Sequence, residues 1–203
     1  MSFDKRRAQL ANELWSALQT TPFADLTLSQ LADEAGLETE SAGLASMTDL
    51  ACFAVAQIEE QALAETENDF LDAGDASIQE KLLEGLIHRF ECFTPKRHQM
   101  QALYMAAMRD LDLGLALLNQ LMRSIDRLLE LCGDESRGIK RMLRTKGVCA
   151  VVMRARSTWM SDDTHDLAQT LKRIDIELEK AREWAVSFRV LNPDEGRPND
   201  AET

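Results

Sequence analysis

Apolar residues recur along this chain at steps of three and four, and no stretch shows the two-residue alternation of a half-buried strand. Asp4 is placed to cap a first helix whose apolar positions are Leu10, Leu14, Trp15 and Leu18, ending near "TTPFAD". Thr27 or Ser29 starts a short helix carrying Leu31 and Ala32, with Gly36 to end it, and a second short helix is expected around Thr39 to Ala45. Thr48, followed by Asp49, opens a long helix that closes near Gly74. Asp75 or Ser77 begins the next, which carries Leu82, Leu83, Leu86, Ile87 and Phe90 and is stopped by Pro95. Four more follow: from Lys96 through "HQMQALYMAAM", through "LGLALLNQLMRSIDRLLELCG", from Ser136 through "GVCAVVMRARSTWM", and through "DTHDLAQTLKRIDIELEKAREWAVSF". The pattern therefore predicts an all-α protein of about nine helices.

Composition agrees with this and narrows it. Nine glycines and four prolines in 203 residues are too few for a sheet protein built on many tight turns. The length suits one large or two small domains, and the pattern divides into 1–50, 51–190 and a tail, 191–203, of disordered composition. No apolar run approaches the roughly 18 residues of a membrane span, and "MSFDKRRAQL" lacks the apolar core of a signal peptide, so a cytoplasmic location is expected. Cys52, Cys92, Cys132 and Cys149 form no CxxC pair and read as thiols in a reducing compartment.

The stretch "LTLSQLADEAGLETESAGLASMTDL", Leu26 to Leu50, scans as a helix-turn-helix. Phe23 and Thr27, then Leu31, Ala32, Ala35, Gly36 and Leu37, then Leu44, Ser46 and Leu50 fall where the TetR family of bacterial regulators has its scaffold. On that basis the chain resembles the TetR family. The resemblance implies an N-terminal DNA-reading domain followed by a helical ligand and dimer domain. It departs from the family where DNA would be met: Glu38 and Glu40 replace polar or basic groups, Gly43 falls near the usual aromatic, and Met47 stands where lysine is common.

Charge bears directly on this. No Lys, Arg or His occurs from Ala8 to Glu80, and residues 1–50 hold three basic residues against eight acids, a net −5 within a chain of −12. Neutralising phosphates supplies most non-specific affinity for DNA, so attraction has to come from the cluster Lys5, Arg6 and Arg7. If the head reads DNA, those three with Thr27, Thr39 and Ser41 are the residues expected to face it.

The second half carries a further likeness. Trp159, the "DD" pair with Thr164 and Asp166, and a Thr170-centred helix with Leu171 and Ile174 look like the C-terminal region of a TetR-like branch and are similar to the last helices of the lipid-binding coenzyme Q biosynthesis proteins. That resemblance implies an apolar cavity. The residues expected to line it are Phe90, Leu103, Met105, Met108, Leu121, Met122, Leu128 and Val152, with a hydrophobic small molecule or isoprenoid-like lipid as ligand. It also implies a homodimer through the last two helices, where Val148, Val151, Leu167, Leu171, Ile174 and Leu178 are the expected interface.

The remaining chemistry is sparse. His88, His98 and His165 lack metal-ligand spacing, and Asp162, Asp163 and Asp166 read as acids favoured at a helix N-terminus. No acid, base and nucleophile are arranged for catalysis, so neither an enzyme nor a metal or other cofactor is expected. Residues 136–160 hold seven basic residues and no acid, which suits either an anionic ligand or pairing with acids on neighbouring helices. The preferred reading is an apolar-ligand-binding homodimer with DNA reading impaired or lost. The alternative is a working repressor released by an apolar effector.

Overall fold

The computed structural model describes residues 3–38, 42–71 and 76–187. Those residues form eight α-helices: α1 (Phe3–Ala17), α2 (Leu28–Glu34), α3 (Met47–Phe70), α4 (Ile78–Phe93), α5 (Arg97–Ala107), α6 (Leu111–Leu131), α7 (Gly138–Met160) and α8 (Ala168–Ser187). Two 3₁₀ turns, Phe23–Asp25 and Thr94–Lys96, link α1 to α2 and α4 to α5. The all-α class expected from periodicity is what is observed. The helix expected around Thr39 to Ala45 is not seen: Thr39, Glu40 and Ser41 lie outside the described residues, and Gly43 to Ala45 are non-helical, with Gly43 at φ +58°.

Local chemistry sets the helix ends. Thr27 caps α2 through a reciprocal pair, its hydroxyl accepting from the Gln30 amide while the Gln30 side chain accepts from the Thr27 amide. Gly36 takes φ +64°, which lets the Leu37 amide reach the Ala32 carbonyl at 2.8 Å and close the helix. α3 begins two residues earlier than a Thr48 cap suggests, because the Ser46 hydroxyl accepts from the Asp49 amide and the Asp49 carboxylate accepts from the Ala45 amide. Ser77 and Glu80 repeat the device at α4, as expected. Asp110 caps α6 through the Leu113 amide, and Gly133 at φ +83° ends it.

The helices group into two compact units, Met1–Glu59 with Phe93–Gln120, and Glu60–Cys92 with Leu121–Thr203. In the first, Leu10, Leu14, Leu31, Leu50, Ala54, Leu103 and Leu113 are buried, and α5 packs on the turn at Phe23. In the second, Leu86, Phe90, Ile125, Leu129, Val151, Val152, Trp159 and Ile174 are buried, with Phe90 and Trp159 tilted at a centroid distance of 5.4 Å. No helix among the described residues is long and apolar enough to cross a membrane.

Candidate functional site

Among the described residues the N-terminal unit has the first helix and the turn of the expected helix-turn-helix, α2 and Gly36, and commits one of its cations to holding the chain after them in place. The Arg7 guanidinium donates from Nε to the Ala42 carbonyl at 2.9 Å and from Nη2 to the Gly43 carbonyl at 3.3 Å. It also stacks over the rings of Phe3 and Phe53, at 5.1 and 5.9 Å. Arg7 therefore closes the chain after α2 back onto α1. Gln9 does the same for the end of α2, donating to the Ala35 carbonyl at 2.7 Å. Of the residues expected to face DNA, Arg7 is engaged internally, Arg6 is half-buried over Phe3, Lys5 is exposed, and Thr27 is spent on its cap. Thr39 and Ser41 lie outside the described residues.

The residues expected to line an apolar cavity are divided between the two units. Phe90, Leu121, Leu128 and Val152 are buried in the second and Leu103 in the first, while Met122 is half-buried. Met105 and Met108 are 48% and 80% exposed. Helix α5 buries the face bearing Gln99, Met100 and Leu103, which turns Met105 and the C-terminal Met108 outward. A cleft in the second unit is polar instead, lined by Asp126, Glu130, Asp134, Arg137 and Arg141 among others.

Three of the seven cations in the basic run, Arg141, Arg144 and Arg154, meet acids. Arg141 donates from Nε to Asp126 Oδ1 at 2.6 Å, and Arg144 meets the fully buried Asp134 carboxylate at 2.8 Å. Arg154 reaches Glu177 on α8 at 3.3 Å. Glu177 also receives Arg173 at 3.2 Å and Lys180 at 2.9 Å, and is 2% exposed beneath these three cationic side chains. The Lys180 bond first, then the neighbouring positive charges and the Arg154 bond, hold its carboxyl below the usual range against the opposing effect of burial.

The α7–α8 connection turns on Asp162, which is fully buried. One carboxylate oxygen accepts from the Thr164 amide at 3.2 Å and its hydroxyl at 2.5 Å; the other accepts from the Thr170 amide at 2.7 Å and its hydroxyl at 2.8 Å. Burial pushes this carboxyl up, but the four bonds outweigh it and hold it at about 2. Because Thr170 lies in the first turn of α8, Asp162 satisfies an otherwise orphaned helix N–H. The "DD", Thr164 and Thr170 pattern is thus a loop-closing device.

Helices α7 and α8 pack closely on each other, and Val148, Val151, Leu167, Ile174 and Leu178 are consumed in the single-chain interior. Of the expected interface residues only Leu171, 38% exposed, remains at the surface. The exposed apolar side chains of these helices are others: Ile139, Met142, Leu143 and Met153 on α7, and Ile176 and Trp184 on α8. The four cysteines are thiols, none of them in a disulfide. Cys132 and Cys149 are buried, Cys52 and Cys92 half-buried, and burial pushes the Cys132 thiol up to about 12.

Comparison with solved structures identifies the architecture. The chain superposes on a TetR transcriptional regulator from Nitrosomonas europaea with a TM-score of 0.66 at 12% identity, covering 87% of this chain and 98% of that one. A protein from Pseudomonas aeruginosa described as a transcriptional regulator gives 0.62 at 13%, covering 94% and 96%. The TetR-family repressor AlkX from a Dietzia strain, implicated in n-alkane biodegradation, gives 0.50 at 16%, covering 93% and 99%. The protein has the fold of the TetR-family transcriptional regulators. These matches lend no support to the coenzyme Q likeness. No protein-family profile and no curated protein sequence matches the chain.

Proposed function

We propose that the protein is a TetR-type transcriptional regulator, a homodimer that reads DNA through its N-terminal unit and is released by an apolar small molecule. The observation that carries this is the match over nearly the whole of a TetR regulator, together with the Thr27 capping box that opens α2 and the Gly36 turn that closes it. An apolar effector is supported by the likeness to a repressor implicated in n-alkane biodegradation.

Dimerisation is assigned to α7 and α8. Ile139, Leu143, Lys146, Ala150 and Met153 recur at three- and four-residue steps on α7 and are all exposed, which leaves a stripe suited to a second copy. Light scattering on the full chain should return twice the chain mass.

The net −5 of residues 1–50 and the internal use of Arg7 favour a second reading. In it the same homodimer binds an apolar ligand, such as an isoprenoid-like lipid, and no longer grips DNA; a lipid-presenting accessory in quinone metabolism is one form this takes. Gel retardation on the promoter of its own gene separates the two. A regulator retards that DNA, loses affinity steeply as salt rises, and lets go when an apolar effector is added. A lipid carrier ignores the DNA at every salt concentration and yields an extractable apolar molecule in native mass spectrometry.

A further inference from the structure

We propose that Asp69 on α3 with Glu84 and His88 on α4 form a binding site for one divalent first-row transition-metal ion, of which zinc is the type. All three residues belong to the second unit. Their meeting follows from the packing around Gly85 on α4. A Cβ there would run into the Leu128 side chain of α6 and come within 3.2 Å of the Thr66 methyl of α3, so this side of α4 faces both helices. Glu84 and His88, one turn apart, are thereby brought beside Asp69, and one ligand atom from each of the three lies within 4.8 Å of the other two. A tetrahedral ion with bonds of about 2.1 Å holds its ligand atoms about 3.4 Å apart, a closure within reach of side-chain rotation. The Asp69 side chain is 55% exposed and free to make that adjustment.

The hydrogen bonding of His88 suits a cation at the same point. The Thr66 hydroxyl, 2.8 Å from the Ala62 carbonyl, lies 3.3 Å from His88 Nδ1, and Nε2 is the nitrogen that faces Asp69 Oδ2 at 3.3 Å. With the ring hydrogen on Nδ1 and aimed at that hydroxyl, Nε2 turns a lone pair toward the carboxylate, and a metal ion between them satisfies both. One imidazole nitrogen with two carboxylate oxygens suits zinc, nickel, cobalt or manganese better than the all-oxygen shell of calcium. The hydroxyl behind Nδ1 is the outer support that metal-bound histidines ordinarily have. Bound metal would staple α3 to α4 and leave its other positions to water.

The competing occupant is a proton, which makes His88 and Asp69 a simple ion pair. Titrating the tag-free full chain, first stripped with chelator, with zinc by calorimetry and with cobalt by visible absorption decides between them. One ion per chain is expected, with no thiolate-to-cobalt charge-transfer band. His88→Ala and Asp69→Asn should each weaken binding at least tenfold, and Thr66→Val by about tenfold through loss of the fixed tautomer. His98→Ala and His165→Ala should leave it unchanged. Should His88→Ala fail to fold, Asp69→Asn at the exposed ligand still decides. Absence of saturable binding, binding that survives Asp69→Asn and His88→Ala, or a thiolate band would each overturn the proposal.

Discussion

Asp162 grips Thr170 twice, through the backbone amide at 2.7 Å and the hydroxyl at 2.8 Å, and so joins the loop after α7 to the first turn of α8. Replacing it by asparagine leaves one acceptor oxygen in place of two and turns an amide NH₂ toward donors. Asp162→Asn should cost about 2–3 kcal/mol, measured by urea denaturation.

The same carboxylate predicts a pH dependence. Its folded-state value of about 2 lies below the ordinary Asp value, so the unfolded chain takes up the proton first. The stabilisation is complete above about pH 5 and drains away as the pH falls toward 2, amounting to about 2 kcal/mol for a shift of this size. Wild type should lose stability on that acid limb. Asp162→Asn, less stable throughout, should lose less over the same interval, and parallel limbs would refute the assignment.

Arg7 is expected to behave as a structural residue. Arg7→Ala removes two charge-assisted bonds and two ring contacts and should destabilise the chain by about 1–3 kcal/mol. Arg7→Lys should rescue little, since an ammonium lacks the fork that spans the Ala42 and Gly43 carbonyls. Thermal melting of the two variants measures this. An unaltered melting temperature in Arg7→Ala would contradict it.

Gly85→Ala should be destabilising, by about 1–3 kcal/mol, because the added methyl meets Leu128 and Thr66 in a packed interior. Chemical denaturation reads the loss. Gly147→Ala is the control: nothing lies within 4 Å of a Cβ there, and a helical alanine should be neutral or mildly stabilising.

The double variant Leu143→Glu, Met153→Glu places two charges on the exposed stripe of α7. It should shift the molecular mass by light scattering from dimer to monomer while leaving the helical circular dichroism unchanged. A dimer that persists would move the interface elsewhere.

Helix identity was legible because periodicity and caps are local. Thr27 with Gln30, Ser77 with Glu80 and the Gly36 turn are written within a few residues of where they act. The start of α3 differs because Thr48 and Ser46 are both competent caps, and the acid three residues after Ser46, Asp49, adds a bond from the Ala45 amide that favours the earlier one. What faces what was not legible. The cations of α7 were plain, but their partners Asp126, Asp134 and Glu177 come from α6, the loop after it, and α8. The apolar steps of α7 and α8 named interface residues that the chain buries against itself, because periodicity marks a sticky face without saying who covers it. Glu84 and His88 are visible as a pair one turn apart, yet Asp69, on α3, joins them only in the folded chain.

Leu167 holds φ +50° while 3% exposed, the only non-glycine residue among those described with a positive φ. The reversal into α8 is thus made by a bulky side chain in a backbone shape that glycine would adopt at ease. Swapping in glycine would relieve the backbone while emptying a pocket the size of a leucine, and the emptied pocket is the larger effect, about 2–5 kcal/mol. The turn owes its shape to what its side chain fills, so at this corner the interior dictates the course of the chain.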